Sequence, residues 1–157
     1  MSQLVQAAPE PGAQPSRNER MSTAARVLVV DADPATLAAI SDPLRHEGYF
    51  VATAFDADGA LMAARRVGPF ELLITALRMT PIDGVELARA LREFEPGMQT
   101  LYVTNCADEL FAHAIPNTVN EDVIEQPFSE HELLDTVTAL LYWRRRSQST
   151  FLGEGRE

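Results

Sequence analysis

Five short apolar runs, each followed by a segment with helical spacing, constrain this chain more than any other feature. Arg26–Asp31 (RVLVVD) is a continuous β-branched and apolar run, the pattern of a buried strand. Asp33-Pro34 then opens a helix, with Asp33 as N-cap and Pro34 in the first helical position. That helix carries Leu37, Ile40 and Leu44 on one face and stops near Gly48. Tyr49–Ala54 predicts a second strand and Ala57–Val67 an Ala-rich helix. Glu71–Thr75 follows as the third strand. The helix after it, Asp83–Phe94, turns Val85, Leu87, Ala88 and Leu91 inward and is closed by Pro96-Gly97. Thr100–Thr104 is the fourth strand, and Asp108–Ile115 a short helix halted by Pro116 and the turn-former Asn117. Asp122–Glu125 reads as a weak fifth strand. Ser129–Trp143 is the last helix, opened by a Ser129/Glu132 capping box.

Strands that alternate with helices cannot pair through hairpins, so they form a parallel sheet with helices on both faces. Five such units predict an α/β fold, a flavodoxin-like (βα)5 doubly wound parallel sheet with strand order 2-1-3-4-5. The 157 residues, 46% of them hydrophobic, suffice for one domain with a substantial core. The domain is expected over 26–143. Residues 1–25, rich in Gln, Pro, Ala and Ser and without periodicity, are expected to be a disordered tail, with Met21 as a candidate alternative start. Residues 144–157 are expected to be a basic and then flexible tail, whose Arg144-Arg145-Arg146 run suits the negative end of a helix.

The apolar runs are far short of a bilayer span, and the N-terminus has no charged-then-apolar signal pattern. A soluble protein with no membrane partner is expected. Cys106 is the only cysteine, so no internal disulfide can form, and a cytoplasmic location follows. A net charge of -10 argues against a nucleic-acid surface. All 13 basic residues are Arg; the chain has no Lys.

The stretch LLITALRMTPIDG, Leu72 to Gly84, reads as a buried strand running into a loop. The carboxyl end of such a strand is where α/β proteins place their chemistry, and here it is Ala76, a methyl group. This stretch, together with VLVVDADP, LYVTN and EQPFS, in that order and at the usual separations, resembles the receiver domain of bacterial two-component response regulators. The resemblance runs from Arg26 to about Trp143. It implies an Asp at the end of the third strand that takes phosphate from a histidine kinase. It also implies an acidic pair after the first strand for Mg²⁺, a Thr or Ser ending the fourth, and a Lys before a Pro after the fifth. Mg²⁺ and Lys neutralise the repulsion between a carboxylate nucleophile and a charged phosphoryl group.

Carried over position by position, most of that set is missing. The acceptor position is Ala76, the acidic pair is Asp31-Ala32, and the Lys position is Gln126. The aromatic switch position, three residues before the Lys, is Val123. Asp31 and Thr104 match, as do Asp83-Gly84 and Pro127-Phe128, and the resemblance implies a cis bond at Gln126-Pro127. The losses form one set, since a lone Asp31 is a poor Mg²⁺ site and a Lys has no phosphate to meet. The expectation is a vestigial pocket of Asp31, Ala32, Ala76, Thr104 and Gln126, with no cofactor, no metal and no enzymatic activity. A stand-alone pseudo-receiver of this kind acts by contact with a signalling protein such as a histidine kinase, phosphotransferase or regulator; a homodimer is compatible with it. Two alternatives stay open: a small ligand or anion sensed in the emptied pocket, and phosphorylation at another residue.

Other residues have plainer readings. Asp33 is a substitute metal ligand or, more simply, the N-cap. Cys106 lies close to Thr104 but has no neighbouring Arg in sequence to favour a thiolate. His46, His113 and His131 lack metal-ligand spacing, and Arg65-Arg66 reads as a solvated helix face. A flavin site would want a hydroxyl-rich first loop, and ADPATL has one Thr.

Overall fold

The computed structural model describes residues 24–105 and 120–142. Five strands, β1 (Arg26–Val30), β2 (Phe50–Ala54), β3 (Leu72–Ala76), β4 (Gln99–Thr104) and β5 (Glu121–Glu125), form one sheet in the order β2-β1-β3-β4-β5. Every neighbouring pair is parallel. Between them lie α1 (Pro34–His46), α2 (Ala57–Arg66) and α3 (Gly84–Arg92). A C-terminal helix covers 130–142. The predicted class and strand order hold. The short helix expected at Asp108–Ile115, Cys106, His113, the N-terminal segment and the Arg144–Arg146 run lie outside the described residues.

Alternation along the strands builds two cores. Val27, Val29, Ile74, Leu101 and Val103 meet Leu37, Ile40 and Leu44 of α1 and Leu133, Val137 and Leu140 of the C-terminal helix. On the other face Leu28, Val30, Leu73 and Tyr102 pack with Ala60 of α2 and Leu87 and Leu91 of α3. Each fully buried Leu, Ile or Val contributes about 1.5–3 kcal/mol.

Element ends moved by one or two residues, each for a local reason. Tyr49 leaves β2 because its N–H bonds to the Leu44 carbonyl at 3.1 Å, closing α1 around Gly48, whose φ is 97°. Asp83 is the N-cap of α3 in a complete capping box with Glu86. At the other end of α3, Phe94 falls in the closing turn. Ser129 and Glu132 form the expected capping box.

Both sheet edges are protected. The outward carbonyl of Val51 on β2 accepts from Arg45 of α1 at 3.3 Å. On β5 the outward N–H of Val123 is taken by the Asp122 carboxylate at 2.7 Å. Gln126-Pro127 is cis, as expected, and so are Gly68-Pro69 and Thr80-Pro81.

Candidate functional site

Parallel strands put all their carboxyl ends at one rim of the sheet, and this rim gathers five of the six candidate residues. Asp31 leaves β1 with its N–H on the Ala54 carbonyl at 3.2 Å. Its carboxylate is buried and accepts the Asp33 N–H at 2.9 Å. Burial pushes its pKa above the ordinary value of 3.8; the Asp33 N–H opposes that rise and the Asp33 charge adds to it. Ala32 presents an exposed methyl. Asp33 caps α1, accepting the Thr36 hydroxyl at 2.8 Å and the Thr36 N–H at 3.3 Å. The Thr36 hydroxyl bond leads in holding its carboxyl below the usual range. The N-cap reading of Asp33 is therefore the one its geometry supports.

Ala76 ends β3 opposite Val103, half-buried, with nothing but a methyl at the strand end. Its carbonyl oxygen sits against Gly84, where any Cβ would collide with it. Thr104 ends β4 in the interior, 3% exposed. Its carbonyl accepts the Gln126 N–H at 2.7 Å, which fixes the turn after β5. The Gln126 side chain reaches across to α1 and donates to the Thr36 hydroxyl at 3.4 Å. A hydrogen-bonded chain Gln126–Thr36–Asp33, with no positive charge, thus spans the place where the family sets a Lys. Thr36 was not singled out in the sequence, although its place three residues after the N-cap is a capping signal.

Val123, the sixth candidate, lies apart from the rim in the middle of β5, opposite Tyr102 of β4. Tyr102 is fully buried and donates to the Glu121 carboxylate at 2.8 Å. The same oxygen accepts from Arg92 of α3 at 2.5 Å, and Arg92 also reaches the Thr100 hydroxyl at 2.8 Å. Burial, with Glu121 as the next cause, raises the Tyr102 phenol well above its ordinary value. This Arg92–Glu121–Tyr102 cluster was not foreseen, because it joins three elements that lie apart in sequence.

Beside the rim a depression of about 570 Å³ opens between Ala32, Phe55, Arg78, Met79, Asp83 and Glu86. The residues present do not suit the Mg²⁺ that the fold family implies. Ala32 and Ala76 offer no oxygen, and the Asp31 carboxylate is buried against a backbone N–H. Among the described residues, no three His, Cys, Asp or Glu side chains converge as ligands.

Comparison with known proteins agrees with this architecture. Residues 27–138 match the response regulator receiver domain family. The probable transcriptional regulatory protein TcrX of Mycobacterium tuberculosis is 30% identical over 131 residues, which cover 82% of this chain and 53% of that protein. The response regulator receiver protein CpdR of Brucella abortus is 27% identical, with 74% of this chain and 96% of that protein covered. Among solved structures, the chemotaxis response regulator CheY4 of Vibrio cholerae superposes with a TM-score of 0.65 at 26% identity, over 74% of this chain and 98% of that one. The chain spans about half the length of the mycobacterial transcriptional regulators it matches. With the five-stranded order, the shared rim and the family match over most of its length, this chain belongs to the response regulator receiver domains of two-component signalling.

Proposed function

We propose that this chain is a pseudo-receiver that signals by protein contact and does not undergo phosphoryl transfer. The observation that carries the reading is Ala76, a methyl at the end of β3 where the family's phosphoacceptor Asp stands. Three further features support it. Ala32 removes the second acid of the metal pair. Gln126 spends its amide on Thr36 and brings no positive charge. Val123 has no ring to report on Thr104. The chain is not an enzyme in this reading, uses no cofactor, and resides in the cytoplasm. Its partner is a histidine kinase, a phosphotransferase or another regulator. The CpdR relative, a response regulator receiver protein, is matched over 96% of its own length, which favours a reading centred on receiver contacts. A net charge of -10 disfavours a nucleic-acid partner.

Anion sensing fits less well. Asp33, Asp56, Asp83 and Glu86 lie at the helix N-termini of the rim, and among the described residues Arg78 is the only basic one lining the depression. An anion entering there meets like charge. The test is intact mass after incubation with acetyl phosphate and Mg²⁺, with the variant Ala32→Asp/Ala76→Asp/Gln126→Lys alongside. The expected result is no added mass on the wild type and a phosphoryl increment on the variant. A phosphoryl group on the wild type, at any residue, overturns the reading.

A further inference from the structure

Acidic side chains gather at one pole of this molecule. Among the described residues the rim at the strand carboxyl ends carries Asp33, Asp56, Asp58, Asp83 and Glu86, the last two lining the depression, against one arginine, Arg78. The depression is also lined by Ala32, Met79, Thr80 and Pro81, and by Phe55, which has 57% of its surface exposed. The opposite pole holds the last turns of the helices, where Arg45, Arg65, Arg66, Arg89 and Arg92 stand beside Glu47, Glu93 and Glu121, so its charge is mixed. The C-terminal helix starts at the acidic rim, behind β5, and its residue 142 is therefore at the opposite pole. The next four residues are Trp143-Arg144-Arg145-Arg146, the densest run of positive charge in the chain.

We infer that the acidic mouth of one copy receives the Trp143–Arg146 run of a second copy, in a head-to-tail contact. Complementary charge steers the run to the rim. The exposed Phe55 ring gives a guanidinium or the indole an aromatic face to stack on. Reach excludes the same mouth. Four extended residues span at most about 14 Å. Returning to the rim means covering the length of the 130–142 helix, about 20 Å, and then crossing from its face of the sheet to the face that carries α2 and α3. The contact therefore joins two molecules. Because it uses different surfaces on each, it is heterologous and leaves one mouth and one tail free at the ends of every assembly. The inference stands independently of phosphoryl transfer.

The test is sedimentation of the full chain at about 50 mM and about 500 mM salt, where the screening length differs roughly threefold. Association weakened at least tenfold by the higher salt is expected. Two variants separate the surfaces. Arg144→Glu/Arg145→Glu/Arg146→Glu removes the tail. Glu86→Gln/Asp56→Asn removes two of the five acidic charges of the mouth while keeping side chains that still cap their helices. Each alone should be monomeric, and each should give a native far-ultraviolet dichroism spectrum. Mixed, they should form a complex of one to one, because the tail of the second fits the mouth of the first, and growth should stop there. A wild type monomeric at both salts, a dimer indifferent to salt, or two monomeric variants that fail to combine overturns the inference.

Discussion

Asp31 is the one carboxylate among Asp31, Ala32, Ala76, Thr104 and Gln126 at the rim, and its burial there has a cost. Its folded pKa lies above 3.8, so the native state binds this proton more tightly than the unfolded chain does. Stability from this group is therefore highest at low pH, falls as pH rises from about 3.8 through the folded pKa, and is level above it. Asp31→Asn keeps an oxygen for the Asp33 N–H and carries no charge. It should raise the melting temperature at neutral pH, and the gain should shrink as pH falls toward the carboxylate range. A wild type at least as stable as the variant at neutral pH would contradict this. Gly84 gives a second test, with the sign as readout. On propensity alone, Gly→Ala in a helix gains about 1 kcal/mol. Here the Ala76 carbonyl leaves no room for a Cβ, so Gly84→Ala should lose about 2–3 kcal/mol in urea unfolding. A stabilised variant would show that the β3–α3 loop yields. At this scale the sequence revealed what is local. Asp33 was legible as a cap because its partner is three residues away. The Gln126–Thr36 bond was not, because 90 positions separate the two and no spacing rule joins them.

Elements followed the sequence more closely than single contacts did. The alternation of buried runs with helical spacing left few parallel topologies, and the order β2-β1-β3-β4-β5 is the expected one. Boundaries slipped by a residue or two where a hydrogen bond made the decision, as at Tyr49 and Asp83. The tie between α3, β4 and β5 had no sequence signal. Glu121 shows only 4% of its side chain to solvent and is balanced by Arg92 at 2.5 Å. Removing Arg92 leaves a buried carboxylate with Tyr102 as its remaining partner among these three. Arg92→Met should therefore cost about 2–4 kcal/mol, and Arg92→Met/Glu121→Gln should recover part of that. Tyr102→Phe removes one donor and should cost about 1 kcal/mol. Denaturant midpoints of the four proteins, wild type included, check the ordering. If Arg92→Met alone is neutral, the pair is a surface contact and does not pin the sheet.

The whole molecule combines a rim with Ala76 at the end of β3 and a sheet that is tied on the far side. In this family a phosphoryl group at the end of β3 is read by the hydroxyl ending β4 and by an aromatic ring on β5. Here Thr104 is kept, but Val123 has no ring, and the aromatic opposite it, Tyr102, is hydrogen-bonded to Glu121 on the neighbouring strand. Restoring the chemistry should thus not restore the response. The variant Ala32→Asp/Ala76→Asp/Gln126→Lys should take phosphate from acetyl phosphate, because acceptor, metal pair and Lys are then all present. Its amide exchange should change around residues 31–36 and 76–84, where the phosphoryl group and metal sit, and stay as before over Glu121–Glu125. A ligand shifts an equilibrium only by its differential affinity for the two states, and Val123 supplies no second state to favour. Adding Tyr102→Phe and Val123→Tyr removes the tie and supplies a ring. Labelling should then slow or speed exchange in β5 as well. A change in β5 already present in the labelled triple variant would show that the Arg92–Glu121–Tyr102 cluster does not hold the sheet in one state, and that this surface can still be switched.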